Sequence, residues 1–169
     1  MATEEQTSYN FTFAMLVTEM LRAGNRLTIS NRTVTKLGFW LSKNGSPSGN
    51  LTFTVRRESN DAVLLSKVWG NATSLTTSPV YREATFVTPA LVNELVYILC
   101  EWGGADPANY PKFHCQNSDI KASEYMVRKY PAEYLPEAAK DAAYIYTYQD
   151  PVVAAAGGGP ANLVAAGII

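Results

Sequence analysis

Hydrophobic positions recur with a period of two through much of the chain. Thr35, Leu37, Phe39 and Leu41 alternate with Lys36, Gly38, Trp40 and Ser42. After the Gly/Pro/Asn-rich stretch 44–50, Leu51, Phe53 and Val55 alternate with Thr52, Thr54 and Arg56. Successive side chains of a strand point to opposite faces, so this pattern marks strands with one face on a core. Two such runs around a turn-rich segment predict a hairpin. Further strands are predicted at 25–30, 62–69, 82–88, 95–102 and 143–148, separated by Asn, Gly, Ser, Thr and Pro clusters. Many short strands without a long helix between them predict an all-β fold, an antiparallel jelly-roll-like β-sandwich. Leu95, Val96, Tyr97, Ile98, Leu99 and Cys100 are apolar on both faces. That run predicts a central strand covered on each side, with the arm or the tail as the second cover.

Three regions follow from the pattern: an N-terminal arm at 1–24, the sandwich at 25–148 and an extended Gly/Ala-rich tail at 149–169. In the arm, Phe13, Leu16, Val17, Met20 and Leu21 fall at helical spacing, with Thr12 as N-cap and Gly24 beyond the end. This predicts a short helix; the competing reading is a strand over 9–17. Either way the arm is too apolar to stand free in water and is expected to pack on the body or on a neighbouring subunit. Residues 103–142 are less regular, and Pro136 ahead of Glu137, Ala138, Ala139 and Lys140 predicts one helical turn. Residues 152–169 carry no charged side chain. Disordered tails avoid aliphatic residues, so Leu163, Val164, Ile168 and Ile169 are expected to dock in a groove of another copy. Burying each would contribute on the order of 1.5–3 kcal/mol before entropy costs.

Charge and composition narrow the function. The 169 residues include 14 Lys and Arg against 15 Asp and Glu, a net charge of -1. That balance argues against a nucleic-acid partner, which calls for a basic footprint. No apolar run approaches the roughly 18–20 residues of a membrane-spanning helix, so no membrane partner is expected. Residues 1–10 supply neither the basic start nor the apolar core of a secretion signal. Cys100 and Cys115 are the only cysteines, too few for a disulfide scaffold or a thiolate zinc site, and both are expected as reduced thiols.

Candidate chemistry is sparse. His114 is the only histidine, and its neighbour Cys115 would point to the opposite face of a strand. Glu101 and Asp106 are candidates for a glycosidase pair, or, with Asn109, for a Ca²⁺ site; the plainer reading of Asp106 and Asn109 is an Asx turn. No phosphate-loop, dinucleotide or zincin pattern occurs. No catalytic residue, metal or cofactor is therefore expected. The aromatic residues say more. Trp40 is predicted to face outward beside Thr52, Thr54 and Arg56, as a sugar platform, a subunit interface or a site of intramolecular cover. Tyr144, Tyr146 and Tyr148 share one face of the closing strand and carry the same three readings. Asn-x-Ser/Thr sequons stand at Asn10, Asn31, Asn44, Asn50 and Asn71.

The run 36–55 (KLGFWLSKNGSPSGNLTFTV) resembles the strand–KxGSPxG–strand segment of jelly-roll β-sandwich modules. Such modules occur in choice-of-anchor surface proteins, carbohydrate-binding-like domains and virus or phage structural proteins. Residues 74–81 (SLTTSPVY), 84–91 (ATFVTPAL) and 96–110 (VYILCEWGGADPANY) are similar to later segments of the same modules, in the same order. The likeness covers roughly 25–110 and returns at 143–148. Residues 111–142 lack the Gly/Trp-rich finish of the extracellular modules, which favours a self-assembling subunit. The resemblance implies a non-enzymatic structural subunit of a virion, made in the host cytoplasm, as a capsid decoration, fibre or tail component. It would assemble with copies of itself and other virion proteins through Trp40, Arg56, the tyrosine row and the apolar termini. The alternative it implies is a carbohydrate-binding module recognising surface glycans through Trp40, Trp69 and Trp102.

Overall fold

β-Branched and aromatic residues in period two favour extended chain, and in the computed structural model, which describes residues 1–16, 22–104, 106–130 and 133–151, they form eleven strands. These are β1 (Ala2–Gln6), β2 (Phe11–Ala14), β3 (Arg22–Asn44), β4 (Asn50–Arg57), β5 (Val63–Asn71), β6 (Val80–Trp102), β7 (Tyr110–Gln116), β8 (Tyr125–Lys129), β9 (Tyr134–Glu137), β10 (Asp141–Ala142) and β11 (Tyr144–Gln149). Every pairing is antiparallel. The only helical piece among the described residues is a 3₁₀ turn at Ala72–Ser74, capped by the Asn71 side chain. The fold is an all-β antiparallel sandwich.

Its frame is the pair β3–β6, which runs from Arg22↔Glu101 to Leu41↔Val80. Each of these 23-residue strands fuses two shorter strands that the sequence pattern separates. Register breaks between Ile29 and Arg32 and between Val34 and Lys36 mark where the pair bends from one layer to the other. Asn31 takes φ 52° at the first break, a left-handed conformation that asparagine tolerates better than most residues. In one layer the first half of β3 lies between β6 and β8, with β4 and β5 beyond β6 and β9 beyond β8. In the other, the second half of β3 lies between β6 and the strands β11 and β7, with β1 outside β11 and β2 outside β7.

The core lies between these layers. Leu37, Phe39 and Leu41 from β3, Leu51, Phe53 and Val55 from β4, and Val96, Ile98 and Cys100 from β6 are all fully buried. Phe39 and Phe53 meet edge to face, with ring centroids 5.2 Å apart. The predicted alternation therefore places the right residues inside, but the predicted hairpin does not form: β4 pairs with β5 and β6. The segment 45–49, with Gly45 and Gly49 at positive φ, carries the chain across the sandwich instead of back along the same sheet. Two apolar faces on successive strands are satisfied as well by facing each other as by lying side by side.

The helical expectations are also corrected. Residues 11–14 are strand β2, Gly24 lies inside β3, and Pro136 and Glu137 end strand β9 instead of starting a helix, although Glu137–Lys140 does form a single turn, with the Lys140 amide donating to the Glu137 carbonyl at 2.9 Å. In each place a neighbouring strand supplies ladder hydrogen bonds that local propensity does not reveal. Residues 17–21 and 152–169 lie outside the described residues. The arm packs on the body as expected, through β1 on β11, β2 on β7 and a fully buried Met15. Tyr97 and Leu99 on the second face of β6 are covered by Val127, Tyr125 and Tyr134, so β8 and β9 take the covering role expected of the arm or tail.

Candidate interaction surfaces

Because Phe39 and Leu41 are core residues, Trp40 and Ser42 face away from it. Tyr81 stands opposite Trp40 in the β3–β6 ladder, with ring centroids 4.8 Å apart. Tyr9, in the connection between β1 and β2, approaches Trp40 at 6.2 Å and sets an edge on His114 at 5.2 Å. Ser42 Oγ and His114 Nε2 share a hydrogen bond of 2.8 Å, and both residues are buried. Burial and the neighbouring Lys112 ammonium disfavour a second proton on this imidazole and bring its pKa down to about 4. Gly38 completes the patch: a Cβ there would collide with the hydroxyl end of the Tyr81 ring, which approaches the bare backbone closely.

Trp40 thus faces outward as predicted, but between Tyr9 and Tyr81, half-buried. The phase of Trp40 and Ser42 is readable from alternation. Tyr9, Tyr81 and His114 are not, because their proximity depends on strand pairings of long sequence separation.

Arg56 lies on the other layer, away from Trp40, so the two are not neighbours. The predicted adjacency assumed that β4 pairs with β3. The Arg56 guanidinium instead reaches Glu101 through Nε at 2.7 Å and Nη2 at 3.3 Å, and Arg22 Nε joins Glu101 at 3.1 Å. Thr54 Oγ1 donates to the same carboxylate at 2.6 Å. Asp61 forms the second anion, holding Lys129 at 2.6 Å and Arg22 at 3.0 Å and accepting from Tyr134 at 2.6 Å. Partial burial opposes its charge, but the bonds from Lys129 and Tyr134 and the Arg22 guanidinium outweigh that and lower its pKa to about 2. Asp61 also takes φ 58°. The network clamps the β4–β5 turn to the β8–β9 hairpin, and Arg56 is engaged within the chain.

The tyrosine row turns inward. Tyr144, Tyr146 and Tyr148 are 0, 1 and 8% exposed and belong to the core. They pair with Phe39, Leu37 and Val34, so they share the core face of β3. Their hydroxyls find partners at its rim, with Tyr144 donating to Glu124 at 2.6 Å and Tyr146 accepting from Arg32 at 2.6 Å. Of the three roles weighed, this row takes the intramolecular one. Trp102 is 3% exposed and donates its indole N–H to the Ser48 carbonyl at 2.9 Å. Trp69 stacks on Phe53 at 6.4 Å with the Arg82 guanidinium over its ring. Trp102 is thus closed to a sugar ring, and Trp69 is partly buried with Phe53 and Arg82 against it. Leu163, Val164, Ile168 and Ile169 lie outside the described residues.

Glu101 and Asp106 serve separate structures. Asp106 accepts from the Ala108 amide at 2.8 Å and from the Asn109 side chain at 2.6 Å, which is the Asx turn. Cys100 and Cys115 are free and buried, and burial raises both thiol pKa values, that of Cys115 to about 12.

No family model matches this chain, and no curated protein matches it. The surfaces themselves therefore carry the functional reading. Nine large apolar side chains are exposed among the described residues, including Val63 and Val68 on β5 and Val80, Val87 and Leu91 on β6. The last two are 82 and 59% exposed; Val87 falls in the unpaired part of β6 between Thr85 and Ala90, and Leu91 just beyond it opposite Thr33.

Proposed function

We propose that the chain is a non-enzymatic structural subunit of a virion that assembles with copies of itself and with other virion proteins. The observation that carries this reading is the combination of exposed apolar strand positions with an uncharged aliphatic segment at 152–169. Isolated apolar residues on a surface are ordinary, but exposed valines on open sheet edges are places where another chain can pair. The resemblance of 25–110 to jelly-roll modules found in virus and phage proteins supports the virion setting. Light scattering on the full-length protein and on a variant lacking 151–169 tests it. Full-length protein is expected to form oligomers, and the shortened variant to keep its sandwich while losing association. A shortened variant that assembles normally would remove the tail from the mechanism.

A glycan-binding role draws most on Trp40 among the three tryptophans, since its ring lies on the outer face of β3 in a patch with Tyr81 and the 38% exposed Tyr9. Trp40→Ala on a glycan array separates the two readings: loss of glycan retention with assembly intact would favour the module.

A further inference from the structure

The open edges of the sandwich are unequally protected. β1 carries Glu4 and Glu5, β9 is four residues long and contains Pro136, and the outer half of β6 carries Arg82 and Glu83. β2 is also four residues long. Charge, proline, shortness and bulges are among the means of blunting an edge. β5 relies on bulges and a single charge: it has nine residues, no proline and Lys67 as the only charged side chain, and it pairs with β4 and no other described strand. Register breaks leave Leu64 and Trp69 as extra residues opposite β4, and both turn toward the core cluster. Between them, Leu65–Val68 is a regular stretch paired with β4 on one side and with no described strand on the other; Val68 at its end and Val63, just before Leu64, are 48 and 49% exposed.

From this edge, and resting on the assembly reading above, we infer that β5 is the acceptor strand for residues 161–169 of a second copy. The donor has no charged side chain and no proline, and carries Leu163, Val164, Ile168 and Ile169. It is separated from β11 by a segment containing Gly157, Gly158 and Gly159. The 18 residues after Pro151 reach up to about 60 Å when extended, enough to leave their own sandwich. Strand addition uses main-chain hydrogen bonds for affinity and alternate side chains for register. Val63 and Val68 supply apolar contacts for the donor's aliphatic residues, and the lone Lys67 meets no like charge.

The test uses three full-length proteins: wild type, the edge variant Val63→Lys/Val68→Lys, and the tail variant Leu163→Asp/Ile168→Asp. Molar mass by light scattering is read beside hydrogen exchange of the β5 amides. Wild type is expected to be oligomeric, with both variants folded and monomeric and their β5 amides exchanging at least tenfold faster. Oligomers that persist in both variants would overturn the acceptor assignment while leaving self-assembly in place on another surface. A monomeric wild type with protected β5 amides would mean that the tail pairs with its own β5, overturning the exchange between copies. A monomeric wild type with unprotected β5 amides would overturn both this inference and the assembly reading. Circular dichroism of each variant guards against misfolding, and the tail variant, altered outside the sandwich, keeps the test decisive if the edge variant does not fold.

Discussion

His114 is neutral in the fold because its surroundings offer no counter-charge: Ser42 bonds one nitrogen, Tyr9 covers the ring, and Lys112 is the nearby charge. In the unfolded chain the same imidazole takes a proton near its ordinary 6.5, whereas in the fold it resists protonation down to about 4. The unfolded state therefore binds more protons across that window, and stability is lost as pH falls through it. The loss is on the order of 1–3 kcal/mol. The buried Asp141 carboxyl, its pKa raised by desolvation, works in the opposite sense, since acid relieves its charge. Urea unfolding at pH 7 and pH 5 is expected to show lower stability at pH 5, and His114→Gln to flatten the difference. The two thiols make a second test at this scale. Buried and held protonated, Cys100 and Cys115 are expected to resist a thiol reagent in native protein and to react together in denaturant.

Within an element, alternation decides which substitutions matter. Phe39 contacts Phe53 across the core and Phe113 on the neighbouring strand β7, at 5.2 Å in each case, so Phe39→Ala is expected to cost about 3–5 kcal/mol. Trp40→Ala, one residue along, should cost less, because its half-exposed ring contacts only the outer patch; denaturant titrations of both variants measure the contrast. This alternation is also why the inner faces of β3 and β4 were legible from sequence. Leu37, Phe39, Leu41, Leu51, Phe53 and Val55 fall inside as the period of two requires. Their pairing was not legible, because a strand's apolar face reports burial and not its neighbour. The same limit hid Tyr81 beside Trp40 and placed Arg56 there by mistake. It also left the strands between 110 and 142 unread, where Tyr125–Lys129 and Tyr134–Glu137 mix charge and aromatics on the outer face. The helical spacing of the arm was a weak signal that β7 overrides by offering β2 a ladder.

Across the molecule, the two ends of the described chain are stitched together. β1 pairs with β11 from Ala2↔Tyr148 to Gln6↔Tyr144, closing the edge beside the buried tyrosine row. Glu4 adds ion pairs to Arg32 and Lys121, which reach it from β3 and the loop before β8. Gln6 donates to the Ala142 carbonyl at 3.2 Å, and Tyr9 lies over His114. Removing residues 1–16 would therefore expose β11 and β7 as new edges, uncover the Ser42–His114 pair and empty the site of Met15. Edges exposed in this way invite pairing between chains, and the lost burial lowers stability directly. The shortened protein is expected to unfold at lower temperature and to aggregate without fixed stoichiometry, in contrast to the defined oligomers the assembly proposal expects of the full chain. Calorimetry and light scattering read the two effects separately. If the truncated protein melts at the wild-type temperature, the arm is an accessory to the sandwich and not one of its structural strands.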